Sequence, residues 1–141
     1  MDDSAACAAT RYADQLRATV ERLALAIGRR RPLVLCDGNI HLPTGHGIAG
    51  LVVSAHVGAR VDAVLPALAL SVDRWAFLVD TAGVAVPVLP PRVRLVDGGR
   101  YLPLPPSVTA DGPVTWVHEP VAALPRLTTV LGLLRLSAPR W

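Results

Sequence analysis

The chain has 141 residues, of which 52% are apolar and 18% charged, so it suits one compact domain and is too apolar for intrinsic disorder. All 14 basic residues are arginines, and the formal net charge of +3 permits a polyanionic partner without requiring one. Two cysteines are too few for a disulfide framework, and no apolar run reaches the ~18 residues of a membrane helix, so we expect a soluble cytoplasmic protein with no membrane contact.

The apolar pattern predicts a helix at each end of the chain and short strands between them. Helices are predicted at 4–29, 60–71 and 121–136, and Pro66 is expected to shorten the second to a first turn or to kink it. Strands are predicted at 33–36, 48–55, 75–79, 84–86, 93–96 and 114–117. The last helix has a seam of Leu124, Leu127, Leu131 and Leu134, with Pro125 in its first turn. The predicted fold class is α+β, a single domain over 1–141 with five or six short strands in a mostly antiparallel sheet.

Residues 45–50, Gly-His-Gly-Ile-Ala-Gly, match the G-x-G-x-x-G fingerprint of dinucleotide-binding proteins. That site requires a strand directly before the loop and a helix directly after it, because the helix N-terminus meets the pyrophosphate. Here Pro43 precedes the loop and the strand-like run 51–53 follows it. A flexible glycine loop is therefore the favoured interpretation.

The histidines His41, His46 and His56 lie in one part of the chain with Cys36 and Asp37. These residue types suit a metal site or acid–base chemistry. Their spacing matches neither a helical i, i+4 pair nor a short ligand signature, so ordinary loop histidines are favoured and no metal site is assigned.

Arg92 and Arg94 alternate on one face of a predicted strand, and Arg100 follows nearby. They form a candidate strip for phosphate groups, although a solvated arginine face explains them equally well. Residues 100–106 also have the R-x-x-P-x-x-P pattern of a polyproline ligand for SH3-type domains. The favoured interpretation is a segment that packs on its own domain through its leucines.

Three segments of the second half form a further pattern: Arg-Trp-Ala-Phe-Leu-Val at 74–79, Gly-Gly-Arg-Tyr-Leu-Pro-Leu-Pro-Pro-Ser at 98–107, and Gly-Pro-Val-Thr-Trp at 112–116 followed by Pro120. In these segments the chain resembles a group of actinobacterial proteins described as having a bifunctional DNA primase/polymerase (prim-pol) N-terminal domain. The resemblance covers roughly residues 47–136. Active prim-pol enzymes resemble two-metal polymerases, with an Asp-x-Asp pair at a strand end, a Ser-x-His that contacts nucleotide phosphate, and a further Asp.

The resemblance allows two placements of that site. In the first, residues 50–53 lead into the acidic pair, which then falls on Ala55 and Val57. Neither side chain can bind a metal, so the site is degenerate.

In the second placement, Ser54 and His56 form the Ser-x-His motif. Asp37 then stands in for the acidic pair, and Asp80 is the third acid. Only this placement implies magnesium, and one or two carboxylates are few for a two-metal site. We favour the first placement, and hence a domain without polymerase activity.

The resemblance and the missing acids favour a catalytically silent prim-pol-like module that binds nucleic acid, a nucleotide or a protein partner through the arginine strip and the Leu-Pro-Pro-Ser loop. The candidate ligand-binding residues are Ser54, His56, Arg92, Arg94 and Arg100. One alternative is a small-molecule enzyme with a repurposed pocket, in which His56 transfers protons together with Asp37 or His46. Another is a structural or regulatory subunit whose leucine seam packs against a partner.

Overall fold

The computed structural model describes residues 11, 13–15, 17–21, 24, 33–36, 38–61, 63–121 and 123–137. Helical residues between positions 11 and 24 form α1. The other described helices are α2 (Ala55–Gly58) and α3 (Leu127–Ser137). The strands are β1 (Val34–Cys36), β2 (Asn39–Pro43), β3 (Ile48–Ser54), β4 (Ala67–Ala69), β5 (Arg74–Asp80), β6 (Arg94–Val96), β7 (Tyr101–Leu104), β8 (Val108–Thr109), β9 (Gly112–Pro113) and β10 (Thr115–His118).

These strands form three sheets. The main sheet has five strands in the order β10-β4-β5-β3-β6, and a second sheet has three in the order β1-β2-β7. Strands β8 and β9 form a separate pair, and all of the strand pairs are antiparallel. The α+β class, with a mostly antiparallel sheet and helices towards both ends of the chain, is confirmed.

Strand β3 lies at the centre of the molecule and is buried on both faces. Its first six residues, 48–53, are all buried, and only Ser54 at its end is exposed. A continuous apolar run is typical of a strand that is covered on both sides. Helix α3 covers one face of the main sheet and the three-stranded sheet covers the other, which gives three layers.

Helix α3 packs on the main sheet through Leu127, Leu131 and Leu134, which are almost fully buried against residues such as Leu51 and Phe77. Their spacing places them on one side of a helix. These three leucines of the predicted seam therefore pack against the core of their own chain. The fourth member of the seam, Leu124, contacts the core on the opposite face of the sheet.

The predicted start of this helix was wrong. The N–H of Asp80 donates to the carbonyl of Pro125 at 2.8 Å, and Asp80 forms a parallel bridge with Arg126. Because these contacts hold residues 125 and 126 beside the end of β5, the helix begins only at Leu127. Pro125 thus lies before the helix and not in its first turn.

The three-stranded sheet packs closely on the other face of β3. Strands β2 and β7 alternate buried and less buried residues, so that Ile40, Leu42, Leu102 and Leu104 point into the core. The contact is closest at Gly50, where an added Cβ would lie 2.5 Å from Cδ1 of Leu102. Glycine at this position allows the two sheets to approach.

Two other predicted elements differ from the structure. The helix predicted at 60–71 is replaced by strand β4, whose residues 67–69 pair with β5. Pro66 lacks the N–H that a helix requires, and its carbonyl accepts a hydrogen bond from Leu78 at 3.0 Å. Residues 84–86 form no strand; prolines at 87, 90 and 91 limit the N–H groups available for pairing.

Among the described residues, no helix has the length and hydropathy needed to cross a membrane.

A pair of glycine substitutions tests this packing. We expect Gly50→Ala to lower the free energy of unfolding by about 1–3 kcal/mol, because the methyl group overpacks the core against Leu102. Gly132→Ala in α3 is the matched control, since its Cβ would meet nothing within 4 Å. It should raise stability by up to ~1 kcal/mol, and urea denaturation measures both. Equal effects of the two changes would contradict the packing described.

Candidate functional site

The candidate residues are distributed between the two ends of β3. Ser54 ends the strand opposite Arg74, whereas Ile48 begins it opposite Asp80. Because a strand rises ~3.3 Å per residue, these ends are about 20 Å apart. His56 follows Ser54, so the structure places it at the opposite end of the sheet from Asp80.

At the Ser54 end, three of the candidate residues line one pocket of about 220 Å³: Ser54, His56 and Arg92. The remaining lining residues are Val53, Val57, Pro91 and Val93. The pocket therefore combines an apolar interior with a guanidinium and an imidazole, whose N–H groups donate to phosphate or carboxylate oxygens. Its volume is below the ~300–1,000 Å³ that encloses a whole small molecule, so it suits one part of a larger anionic ligand.

A helix cap brings Ser54 and His56 to this pocket. The Oγ of Ser54 accepts a hydrogen bond from the N–H of Val57 at 3.2 Å, which caps the short helix α2. The chain therefore turns directly after β3, and His56 is exposed beside the end of the strand. The hydroxyl of Ser54 thus has a structural role in shaping the pocket.

Arg92 has an unusual backbone conformation, with a φ of 71°. A residue other than glycine in this left-handed region costs of order 1–3 kcal/mol. The N–H of Val93 donates to the carbonyl of Pro90 at 3.2 Å, so Arg92 is the third residue of a β-turn that follows Pro91, a position where type II turns have positive φ. The arginine is exposed at the pocket and directly precedes Val93, which is buried in the core.

The structure divides the predicted arginine strip. Arg94 begins β6 opposite Val52, so it stays near Arg92 towards the Ser54 end. The carbonyl of Arg100 accepts hydrogen bonds from the N–H and the Oγ1 of Thr44, at 2.9 and 2.7 Å. These contacts hold Arg100 beside the β2–β3 hairpin, at the other end of β3.

Asp80 has a structural role at that other end. Its Oδ1 accepts the N–H of Ala82 at 2.8 Å, and Nη2 of Arg126 donates to the carbonyl of Ala82 at 3.1 Å. These bonds hold the turn that follows β5. The structure therefore does not bring Asp80 together with Ser54 and His56, as the magnesium-binding placement requires.

Asp37, the other acid of that placement, lies outside the described residues. Within the part of the chain that the structure describes, no group of three or more His, Cys, Asp or Glu side chains is arranged to hold a metal ion. In the degenerate placement, the acidic pair falls on Ala55 and Val57, which are half-buried in α2. Val57 lines the pocket, so a ligand there meets an apolar side chain instead of a carboxylate.

Residues 45–50, which match the dinucleotide fingerprint, form a hairpin turn and the start of β3. Gly45 and Ile48 exchange backbone hydrogen bonds of 2.8 and 3.2 Å around His46 and Gly47, whose φ angles are 52° and 94°. Positive φ at both central residues is typical of a type I′ turn. A strand follows the glycines, so no helix N-terminus is available to a pyrophosphate there. His46 also lies at the opposite end of β3 from His56, and the two cannot act as a pair.

The Leu-Pro-Pro-Ser loop is part of the core. Ser107 is 2% exposed, and its Oγ accepts the N–H of Ile40 at 2.8 Å and donates to the carbonyl of Ile40 at 3.0 Å. Residues 101–104 form β7, with Leu102 and Leu104 buried. The interpretation of this segment as packed on its own domain is confirmed, although as a strand and not a polyproline helix.

Sequence reasoning missed a cleft of about 450 Å³ between α1 and Trp116. Pro105 and Pro106 form part of its wall, and Glu119 contributes a carboxylate. None of the described residues that line it is an arginine or a histidine, so it is less suited to a phosphate than the smaller pocket. The sequence signal that could have indicated this cleft is the presence of Pro105 and Pro106 together with Trp116.

Sequence reasoning also missed an aromatic surface, because His41 was placed in a loop. Residues 39–43 alternate as a strand, which puts His41 on the outward face of the three-stranded sheet. The rings of His41 and Tyr101 pack edge to face, with centroids 6.3 Å apart. We call this face the outer platform: Val34, His41, Pro43, Tyr101 and Pro103.

Comparison of the chain with protein-family models, curated proteins and solved structures found no match. The prim-pol resemblance therefore stays a prediction.

A pair of serine substitutions tests the structural role of the Leu-Pro-Pro-Ser loop. We expect Ser107→Ala to lower the free energy of unfolding by about 1–3 kcal/mol, because it leaves the backbone of Ile40 without its buried partner. Ser71→Ala is the control, since Ser71 makes an exposed hydrogen bond to Asp73, and it should change stability by at most ~0.5 kcal/mol. If Ser107→Ala does not change the free energy of unfolding in thermal or urea denaturation, the hydroxyl of Ser107 has no structural role and this prediction is wrong.

Proposed function

We propose that this chain is a non-catalytic module that binds nucleic acid, and that the pocket lined by Ser54, His56 and Arg92 receives a phosphate group. One observation carries the proposal: Arg92, which is distant in sequence from Ser54 and His56, meets them in one apolar pocket. A β-turn holds Arg92 there: it follows Pro91 with a φ of 71°, and the N–H of Val93 donates to the carbonyl of Pro90 at 3.2 Å.

The chemistry of the pocket fits a phosphodiester. A guanidinium donates two parallel hydrogen bonds to phosphate oxygens, and the imidazole of His56 adds a donor beside it. The valine walls accept the apolar face of a sugar or base. Arg94 adds a second positive charge on the exposed edge strand β6, where it pairs with Val52 on the opposite face of the sheet from the pocket valines.

The prim-pol resemblance bears on the proposal only through its second placement, in which Ser54 and His56 form the Ser-x-His motif that contacts nucleotide phosphate. The carboxylates that would support polymerisation are not brought to this pocket among the described residues. A phosphate can therefore bind to the arginine directly, without metal ions to offset acidic repulsion. A cytoplasmic setting is part of the proposal.

The two alternatives lack comparable support. The enzyme alternative pairs His56 with Asp37 or His46. Asp37 lies outside the described residues, and His46 lies at the opposite end of β3 from His56. A regulatory subunit that docks through the leucine seam would need the seam exposed. Leu127, Leu131 and Leu134 are instead buried in the core of this chain.

Replacement of Arg92 separates binding from folding. Arg92→Gly removes the guanidinium and also relieves the strain of a positive φ, so stability should change by less than about 1 kcal/mol. Binding of fluorescein-labelled single-stranded DNA or RNA, followed by anisotropy at ~50 mM salt, should weaken by roughly tenfold or more. The slope of log K against log salt should fall in magnitude by about 0.7.

Arg135→Ala, at an exposed position of α3, is the matched control for loss of one positive charge. It should change affinity and salt slope much less than Arg92→Gly. Competition with a mononucleotide distinguishes a nucleotide ligand from a polymer. If wild-type protein shows no salt-sensitive binding to either nucleic acid, or if both arginine variants weaken binding equally, the proposed function is wrong.

Metal removal provides a second test. If the arginine contacts phosphate directly, EDTA should change the oligonucleotide affinity by less than about twofold. With magnesium or manganese and nucleoside triphosphates, no primer extension is expected on a gel. A large loss of affinity in EDTA that magnesium restores would indicate a metal site and contradict direct binding of phosphate to the arginine.

A further inference from the structure

We propose that the outer platform stacks an unpaired base of the nucleic-acid strand whose phosphate occupies the pocket at Arg92. This inference rests on the proposed function and extends it, because it names single-stranded nucleic acid as the ligand class. The juxtaposition that carries it is an aromatic pair on adjacent strands with an arginine directly beside it: His41, Tyr101 and Arg100.

The rings of the platform are available to a base. Tyr101 is 55% exposed, and its strand neighbour across β2 is Pro43. His41 and Tyr101 are diagonal neighbours, and their planes meet at 68°. In such an edge-to-face pair the rings do not cover each other's faces as stacked rings do. Aromatic faces on a sheet surface are the usual stacking sites for unpaired bases.

The platform is also held rigidly. Its strands β2 and β7 pair over four residues, and their inward side chains are buried in the core. The carbonyl of Arg100 accepts two hydrogen bonds from Thr44, which fixes the backbone directly before Tyr101. Arg100 is exposed and directly precedes Tyr101 in the chain, so it adds a positive charge at this end of the sheet that favours a polyanionic strand.

The same surface is poorly suited to a protein strand. β7 is an edge of the three-stranded sheet, and Pro103 in this strand has no N–H to donate to an added strand. None of the five platform residues is acidic, so nothing on the platform itself repels a polyanion. A nucleic-acid strand requires only ring faces and positive charge, and both are present.

One strand can reach both sites. Tyr101 lies near the Ile48 end of β3 on the outward face of the three-stranded sheet, and the Arg92 pocket lies at the Ser54 end on the α3 side of the main sheet. The two sites are about 20 Å apart along β3. A bound strand therefore passes around the edge of the layers to contact both. Single-stranded binding sites cover ~4–16 nucleotides on a comparable small domain. Arg100, which does not line the pocket, thus has a place in the same interface.

The experiment compares base-bearing and abasic strands. Two labelled oligonucleotides of about 12 nucleotides are used, oligo-dT and an abasic strand of equal length, with anisotropy at ~50 mM salt. Tyr101→Ala should weaken oligo-dT binding by roughly five- to 150-fold and abasic binding by less than about twofold, because only a base can stack. Tyr101→Phe keeps the ring and should retain the wild-type affinity. Circular dichroism checks that both variants fold.

Arg92→Gly separates the two proposals, since it should weaken both strands alike. If Tyr101→Ala binds oligo-dT like wild type while Arg92→Gly does not, the platform proposal fails and the pocket proposal stands. Equal loss on both strands with Tyr101→Ala would show that the tyrosine does not stack a base, which also overturns it. If wild-type protein binds neither strand, both proposals fail.

Discussion

The structure depends on the burial of β3 on both of its faces. Because nearly every residue of this strand is apolar, its hydrophobic pattern alone does not distinguish one register from the next, and a slip of one residue would still bury apolar side chains. Two other contacts set the register: the two-residue turn at His46 and Gly47, and the close approach of Leu102 to Gly50. These contacts decide which residues lie at each end of the strand, and the candidate site depends on that placement.

The two ends of β3 have different chemistry as a result. At one end Asp80 and Arg126 hold backbone turns, and their side chains are engaged in structure. At the other end, the strand terminates in an apolar pocket whose described lining residues include an arginine and no carboxylate. A phosphate bound to Arg92 needs no metal ion.

Much of the fold could be predicted from the sequence, because strands such as β3 and β5 have strong local apolar signals. The false helix at 60–71 arose where pairing of residues 67–69 with β5 overrides the local pattern. The site was harder to predict. The sequence indicates Ser54, His56 and Arg92 as candidates. Only the pairing of the strands shows that Arg92 lies in one pocket with Ser54 and His56, and that Arg100 lies elsewhere. The role of Ser107 was hidden for the same reason, since its partner Ile40 is distant in sequence.

The central claim is that the Ser54 end of β3, and not the Asp80 end, contacts phosphate. Amide chemical-shift mapping by ¹H–¹⁵N NMR during titration with a single-stranded oligonucleotide tests it most directly. The account predicts that the largest shifts fall on residues 53–57 and 92–94, which surround the pocket. Shifts concentrated on residues 45–48 and 80–82, with the pocket amides unmoved, would contradict it.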